Sequence, residues 1–166
     1  MGAEKQSIYR QSLERVIKLL DDSGPPWPKK PEGFGESYEF PQDITSLSPT
    51  SLGKLQSRLA GWDGYTQYLL GRADIDLSLL QNSYNIALNE KMSELQGNGS
   101  SRRLKDTLKA QALAEVPDLK RATYALAEKK ALVTLLKSQH SIYETQRHAA
   151  SREQSRRSDA LRLNKV

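Results

Sequence analysis

SPTSLGKLQSRLAGWDGYTQYLLGRADIDLSLLQNSYNIALNEKMSELQG, residues 48–97, is the stretch on which the fold turns. Within it Leu52, Leu55, Leu59, Trp62, Tyr65, Leu69, Ala73, Leu77, Leu80, Tyr84, Leu88, Met92 and Leu95 succeed one another at three- or four-residue steps. That spacing places them on one stripe of a single α-helix, and at 1.5 Å per residue such a helix is roughly 70 Å long. Its start is written locally. Ser48 can accept a bond from a free backbone N–H of the first turn, and Pro49 fits the first helical position because its missing donor costs nothing there. Gln96-Gly97-Asn98-Gly99-Ser100 closes the helix and turns the chain, since Gly and Asn accept a left-handed C-cap. Gly61, Gly64 and Gly71 lie off the stripe, each at a cost of up to ~1 kcal/mol relative to Ala. They are read as allowing close approach of another helix or a bend near Trp62.

Beyond the turn a helix restarts near Ser101, with Leu104, Leu108 and Ala112 in register. Val116-Pro117-Asp118 interrupts it, because proline disfavours helix at the residue before it. The last helix carries Leu119, Ala122, Leu126, Val133, Leu136, His140 and Tyr143, and can reach Leu163. Leu69, Leu80, Val133 and Leu136 are expected to hold the two long helices together. The pattern is not a strict heptad, so it predicts a bent antiparallel hairpin related to a coiled coil. Leu70, Leu79, Ile86, Leu132, Leu135 and Ile142 fall outside the main seams. A two-helix hairpin cannot bury both sets, which predicts homo-oligomerisation or docking of the N-terminal arm.

Upstream, Tyr9, Leu13, Val16, Ile17 and Leu20 predict a short amphipathic helix over residues 1–22. Residues 23–48 hold most of the prolines, with Trp27, Phe34, Tyr38 and Phe40 among them, and read as an extended arm. These aromatics are candidate anchors on a helix or on a neighbouring subunit, with a disordered arm as the alternative. Residues 49–166 form the hairpin. The fold class expected is therefore all-α: an elongated antiparallel helical hairpin with a short N-terminal helix and a Pro-rich arm, assembling into oligomers.

Composition narrows the function. Apolar residues are 37% of the chain, below the ~45–50% of an ordinary globule, which fits narrow helical seams. There is no cysteine for disulfides or thiolate ligation. Neither a signal-peptide core nor a membrane-spanning apolar run is read, so a soluble protein without membrane contact is expected. The net charge is +5, and from Lys137 onward seven Lys/Arg face three acids, a local +4. Concentrating charge at one end points to an electrostatic role.

His140 and His148 lack a zinc-site pattern, Asp74 and Asp76 point apart on a helix, and Gly33-Phe34-Gly35 lacks the context of a phosphate loop. No catalytic set is read; neither enzymatic activity nor a cofactor or metal is expected. The basic end is more informative. His148, Arg152 and Arg156 form a stripe at four-residue spacing, and Glu153 can pair with Arg157. Guanidinium forks suit phosphate oxygens, and equally an acidic protein patch.

Phe40-Pro41-x-Asp43-Ile44-Thr45-x-Leu47, Leu52-Gly53-x-Leu55, Trp62 and Tyr65, then a turn, a Lys/Ala-rich return helix and Ser151-Arg152-Glu153-x-x-Arg156-Arg157, form a pattern. It resembles small phage-encoded recombination mediators of the UvsY type, over about residues 40–157. The resemblance implies a homo-oligomer that binds single-stranded DNA non-specifically. Its implied partners are a RecA-type recombinase and a single-strand-binding protein, in the cytoplasm of an infected bacterial host. Those mediators carry a basic patch in their first long helix, whereas Asn89-Glu90-Lys91-Met92-Ser93-Glu94 is not net positive. The expected nucleic-acid contacts are therefore Arg102, Arg103, Lys105, Arg147, Arg152, Arg156 and Arg157. Trp27, Phe34, Phe40 and Trp62 are the expected arm or oligomer contacts. The alternative is a virion structural or assembly protein, a scaffold, connector or capsid-associated factor, in which the same arginines meet protein.

Overall fold

The computed structural model describes residues 2–24, 26–32, 39–97 and 104–163. The chain is all-α: α1 (Gly2–Ser23), α2 (Pro49–Gly97), α3 (Lys105–Glu115) and α4 (Pro117–Leu163), with a 3-10 turn at Ile44–Ser46 before α2. No strand occurs among the described residues.

The signals at Ser48-Pro49 and Val116-Pro117 act as read, while Asn98, Gly99 and Ser100 of the expected turn lie outside the described residues. Ser48 Oγ accepts the Ser51 N–H at 3.1 Å, and the Ser48 carbonyl accepts the Leu52 N–H at 2.9 Å, so α2 begins at Pro49 with its first turn capped. Val116 is extended at φ −117°, ψ 95°, the region a following proline favours, and it divides α3 from α4. The restart read near Ser101 is corrected in one respect. Ser101 itself lies outside the described residues, but Leu104 sits before the helix with extended backbone and is 78% exposed. It therefore contributes nothing to the seam that Leu108 and Ala112 enter. In α1, Leu13, Val16 and Ile17 are half-buried on one face; the Tyr9 and Leu20 side chains lie outside the description.

The chain folds as two compact units that cut across both long helices. Unit 1 comprises Met1–Pro26 and Gly71–Val133. Its core joins Tyr84, Leu88 and Leu95 of α2 to Leu108 and Ala112 of α3 and to Leu119 and Leu126 of α4. Lys91 bridges to Glu115 at 3.1 Å, and Lys129 of α4 pairs with Asp76 of α2. Later positions on α2 thus meet earlier positions on the return, which is the antiparallel pairing expected.

Unit 2 comprises Trp27–Leu70 and Thr134–Val166. Its core is Leu52, Leu55 and Leu59 of α2 with Ala150 of α4, and Phe40, Ile44, Leu47 and Tyr143 pack against it. The same antiparallel order holds, with Trp62 against Tyr143 and Asp63 against His140. Leu59 is wholly buried, a contribution of about 1.5–3 kcal/mol for a side chain of its kind.

The close-approach half of the glycine expectation is corrected. A Cβ on Gly61 would lie 3.4 Å from Pro31 Cγ, so the Pro-rich arm occupies that approach rather than a second helix. Gly64 and Gly71 have nothing within 4 Å.

Candidate nucleic-acid interface

The C-terminal half of α4 turns one carboxylate inward. Glu153 is 5% exposed, although its neighbours Arg152 and Gln154 are exposed. Arg156 grips it with both fork arms, Nε and Nη2 each at 2.8 Å, and Arg157 Nε donates to it at 2.6 Å. These bonds hold the Glu153 carboxyl well below its ordinary value, at about 2, with Arg156 the larger cause and Arg157 next; the Arg156 guanidinium is raised in turn.

Arg157 does a second thing. Its Nη1 donates to the Leu47 carbonyl at 2.8 Å, and its Nη2 to the Thr45 and Ile44 carbonyls at 2.9 and 3.3 Å. It satisfies carbonyls around the 3-10 turn and ties that turn to α4. The turn is also braced by Asp43, which accepts the Thr45 hydroxyl at 2.6 Å and the Thr45 N–H at 2.9 Å. Those two bonds, the hydroxyl's first, lower the Asp43 pKa. Arg157, expected as a phosphate contact, is thus a half-buried clamp whose donors are directed at protein.

The other expected contacts divide. Arg152 is exposed, and among the described residues no ion pair engages it. Arg156 follows it one turn on and stays 64% exposed while gripping Glu153. Arg147 is 44% exposed, with Nε 3.7 Å from buried Asp63. His148 lies 3.8 Å from Glu144. Lys105 is exposed at the start of α3 and belongs to unit 1; Arg102 and Arg103 lie outside the described residues.

Asp63 is a site residue that sequence reading missed. It is 4% exposed and bonds His140 Nδ1 at 2.6 Å. The signal was present, because His140 lies on the α4 seam and Asp63 lies next to Trp62 on α2. What was missing was the register that pairs them.

The arm is anchored within its own chain. The Trp27 ring sits 4.9 Å from Tyr68, Pro31 lies on Gly61, and Phe40 packs on the core of unit 2. Trp62 stacks on Tyr143 at 6.3 Å and meets Tyr65 edge-on at 6.2 Å. Phe34 lies outside the described residues. No group of three or more metal-ligating side chains occurs among the described residues, nor a helix long and apolar enough to cross a membrane.

No family model matches the chain, and neither a curated protein nor a solved structure matches it. The chemistry of the interface is that of exposed guanidinium groups beside an internally neutralised carboxylate, a surface suited to oxyanions.

Proposed function

We propose that this chain is a single-stranded-DNA-binding recombination mediator, acting as an oligomer that helps load a RecA-type recombinase against a single-strand-binding protein. One observation carries the binding half of this reading. Arg152 and Arg156 stand one turn apart and exposed on α4, while the carboxylate between them, Glu153, faces inward. Phosphates approaching that face meet the Arg152 guanidinium, which no ion pair among the described residues engages, and the exposed remainder of Arg156, whose Nε and Nη2 hold Glu153. The recombinase and the single-strand-binding protein enter from the pattern resemblance alone.

The test is an anisotropy titration of labelled single- and double-stranded oligonucleotides at two salt concentrations, with wild type and Arg152→Ala/Arg156→Ala. Arg157 is left in place because it clamps the fold. The double variant is expected to bind single strands more weakly, with the salt slope reduced by about 0.7 for each phosphate no longer neutralised. No binding by folded wild type at low salt overturns the reading.

The second reading, a virion assembly protein, draws support from a different feature of α4. Leu135 and Ile142 are 68% and 48% exposed, and apolar side chains so placed suit a protein neighbour. It predicts copurification with particles and little DNA affinity at ~150 mM salt, where phosphate contacts are already weakened.

A further inference from the structure

The outer face of α2 in unit 2 carries a second pattern, which meets the inner stripe at half-buried Tyr65. Lys54, Arg58, Gly61, Tyr65 and Tyr68 follow one another at alternating steps of four and three, so they share one side of the helix. The arm lies along this side. Trp27 meets Tyr68 and Pro31 meets Gly61, so the arm runs opposite to α2. Four residues of extended Pro-rich chain span about 12 Å and seven helical residues about 10 Å, so the two anchors match an arm stretched along the helix.

The docked arm changes the chemistry of that face. Between its anchors it presents Lys29 and Lys30, both exposed, and exposed Lys54 and Arg58 follow beyond the Pro31 anchor toward the start of α2. Glu32 is the one carboxylate in the sequence of the arm from residue 26 to 32. Asp63 sits on the buried side, bonded to His140. Aromatic rings run through the same region. Trp27 to Tyr68, Tyr68 to Tyr65 and Tyr65 to Trp62 are separated by 4.9, 6.1 and 6.2 Å between centroids, and Trp27 is only half-buried.

We propose that the docked arm and the outer face of α2 form a second contact surface for single-stranded nucleic acid, separate from the α4 arginines. Lys29, Lys30 and Lys54 neutralise phosphates, and unstacked bases lie on Trp27 and Tyr65. Cations alone would suit any polyanion. Rings among them select a strand whose bases are free to stack, which those of a duplex are not. Prolines 28 and 31 hold the arm extended, which lowers the ordering cost of binding. The inference rests on the proposed ligand class but assigns it a different surface.

The chain has two tryptophans, so Trp62→Phe leaves Trp27 as the sole reporter. Its emission is followed as unlabelled thymidine oligonucleotide is added, single-stranded and then annealed to its complement. In parallel, anisotropy with labelled single strand compares wild type with Lys29→Ser/Lys30→Ser/Lys54→Ser, three surface changes that leave the core intact. Expected are saturable quenching of Trp27 by the single strand but not by the duplex, and a salt slope lower by about 2 in the triple variant, at ~0.7 for each ammonium removed from a phosphate. Should Trp62→Phe lose its helical circular dichroism, the reporter becomes the quenching that wild type shows and Trp27→Phe lacks. Binding of wild-type strength without quenching, or with an unchanged salt slope in the triple variant, overturns this surface and leaves the proposed function standing. Quenching by duplex equal to that by single strand overturns the choice of ligand. Absence of any binding by wild type removes both.

Discussion

A single carboxylate organises the C-terminal half of α4. Glu153 joins two arginines, and one of them, Arg157, reaches the carbonyls of Ile44, Thr45 and Leu47. Removing that fork in Arg157→Ala strands these carbonyls and loosens the 3-10 turn. A loss of about 1.5–3 kcal/mol in unfolding free energy is expected by urea titration, the range for hydrogen bonds to a charged group. Arg157→Lys is expected to recover little of it, because one ammonium cannot reproduce a planar fork. The same cluster sets an acid limit. The Glu153 carboxyl is depressed from 4.5 to about 2, so its contribution is complete above pH 4.5 and is lost as pH falls through about 2. The stability difference between wild type and Glu153→Gln is expected to narrow across that interval. The sequence shows that Glu153 can pair with Arg157. It does not show that the pair faces inward, because that depends on which side of α4 meets Ala150 and its neighbours.

At the scale of elements, boundaries were the most legible feature. Ser48-Pro49 and Val116-Pro117 mark helix limits in the sequence, and α2, α3 and α4 begin or end there. Caps and proline sterics act over a few residues, so they need no tertiary information. The interior glycines were less legible, since what lies against them depends on a segment some thirty residues away. Gly64→Ala is expected to stabilise by up to ~1 kcal/mol, because a Cβ there meets open space and helix propensity improves. Gly61→Ala is expected to gain less, since its Cβ meets Pro31 at 3.4 Å. Gly61→Leu is expected to displace the arm, read as a change in Trp27 emission as the ring leaves Tyr68. Equal behaviour of Gly61→Ala and Gly64→Ala together with unaltered emission in Gly61→Leu would argue that the arm does not rest on α2.

For the whole molecule, the prediction that both apolar sets cannot be buried divides cleanly. Much of the inner stripe enters a core in each unit, and the arm covers part of the outer face of α2. Ile86, Leu132, Leu135 and Ile142 remain exposed at 43–68%. Association into oligomers is the proposal that accounts for them. Sedimentation is expected to show concentration-dependent assembly that Leu135→Lys/Ile142→Lys weakens without loss of helical circular dichroism. A monomer at all concentrations would remove oligomerisation from the functional reading.

By itself the sequence determined the helical class, the antiparallel return, the positions of the breaks and the excess of positive charge toward the end of α4. These follow from periodicity and from capping rules that operate within a turn or two of helix. Only the tertiary structure decided which charges are engaged inside the fold. Asp63 finds His140 at a separation of 77 residues, and Arg157 finds Leu47 at 110. It also decided that the proline arm rests on its own α2. Such pairings depend on register and on distances of a few ångströms, quantities that exist only once the helices have packed.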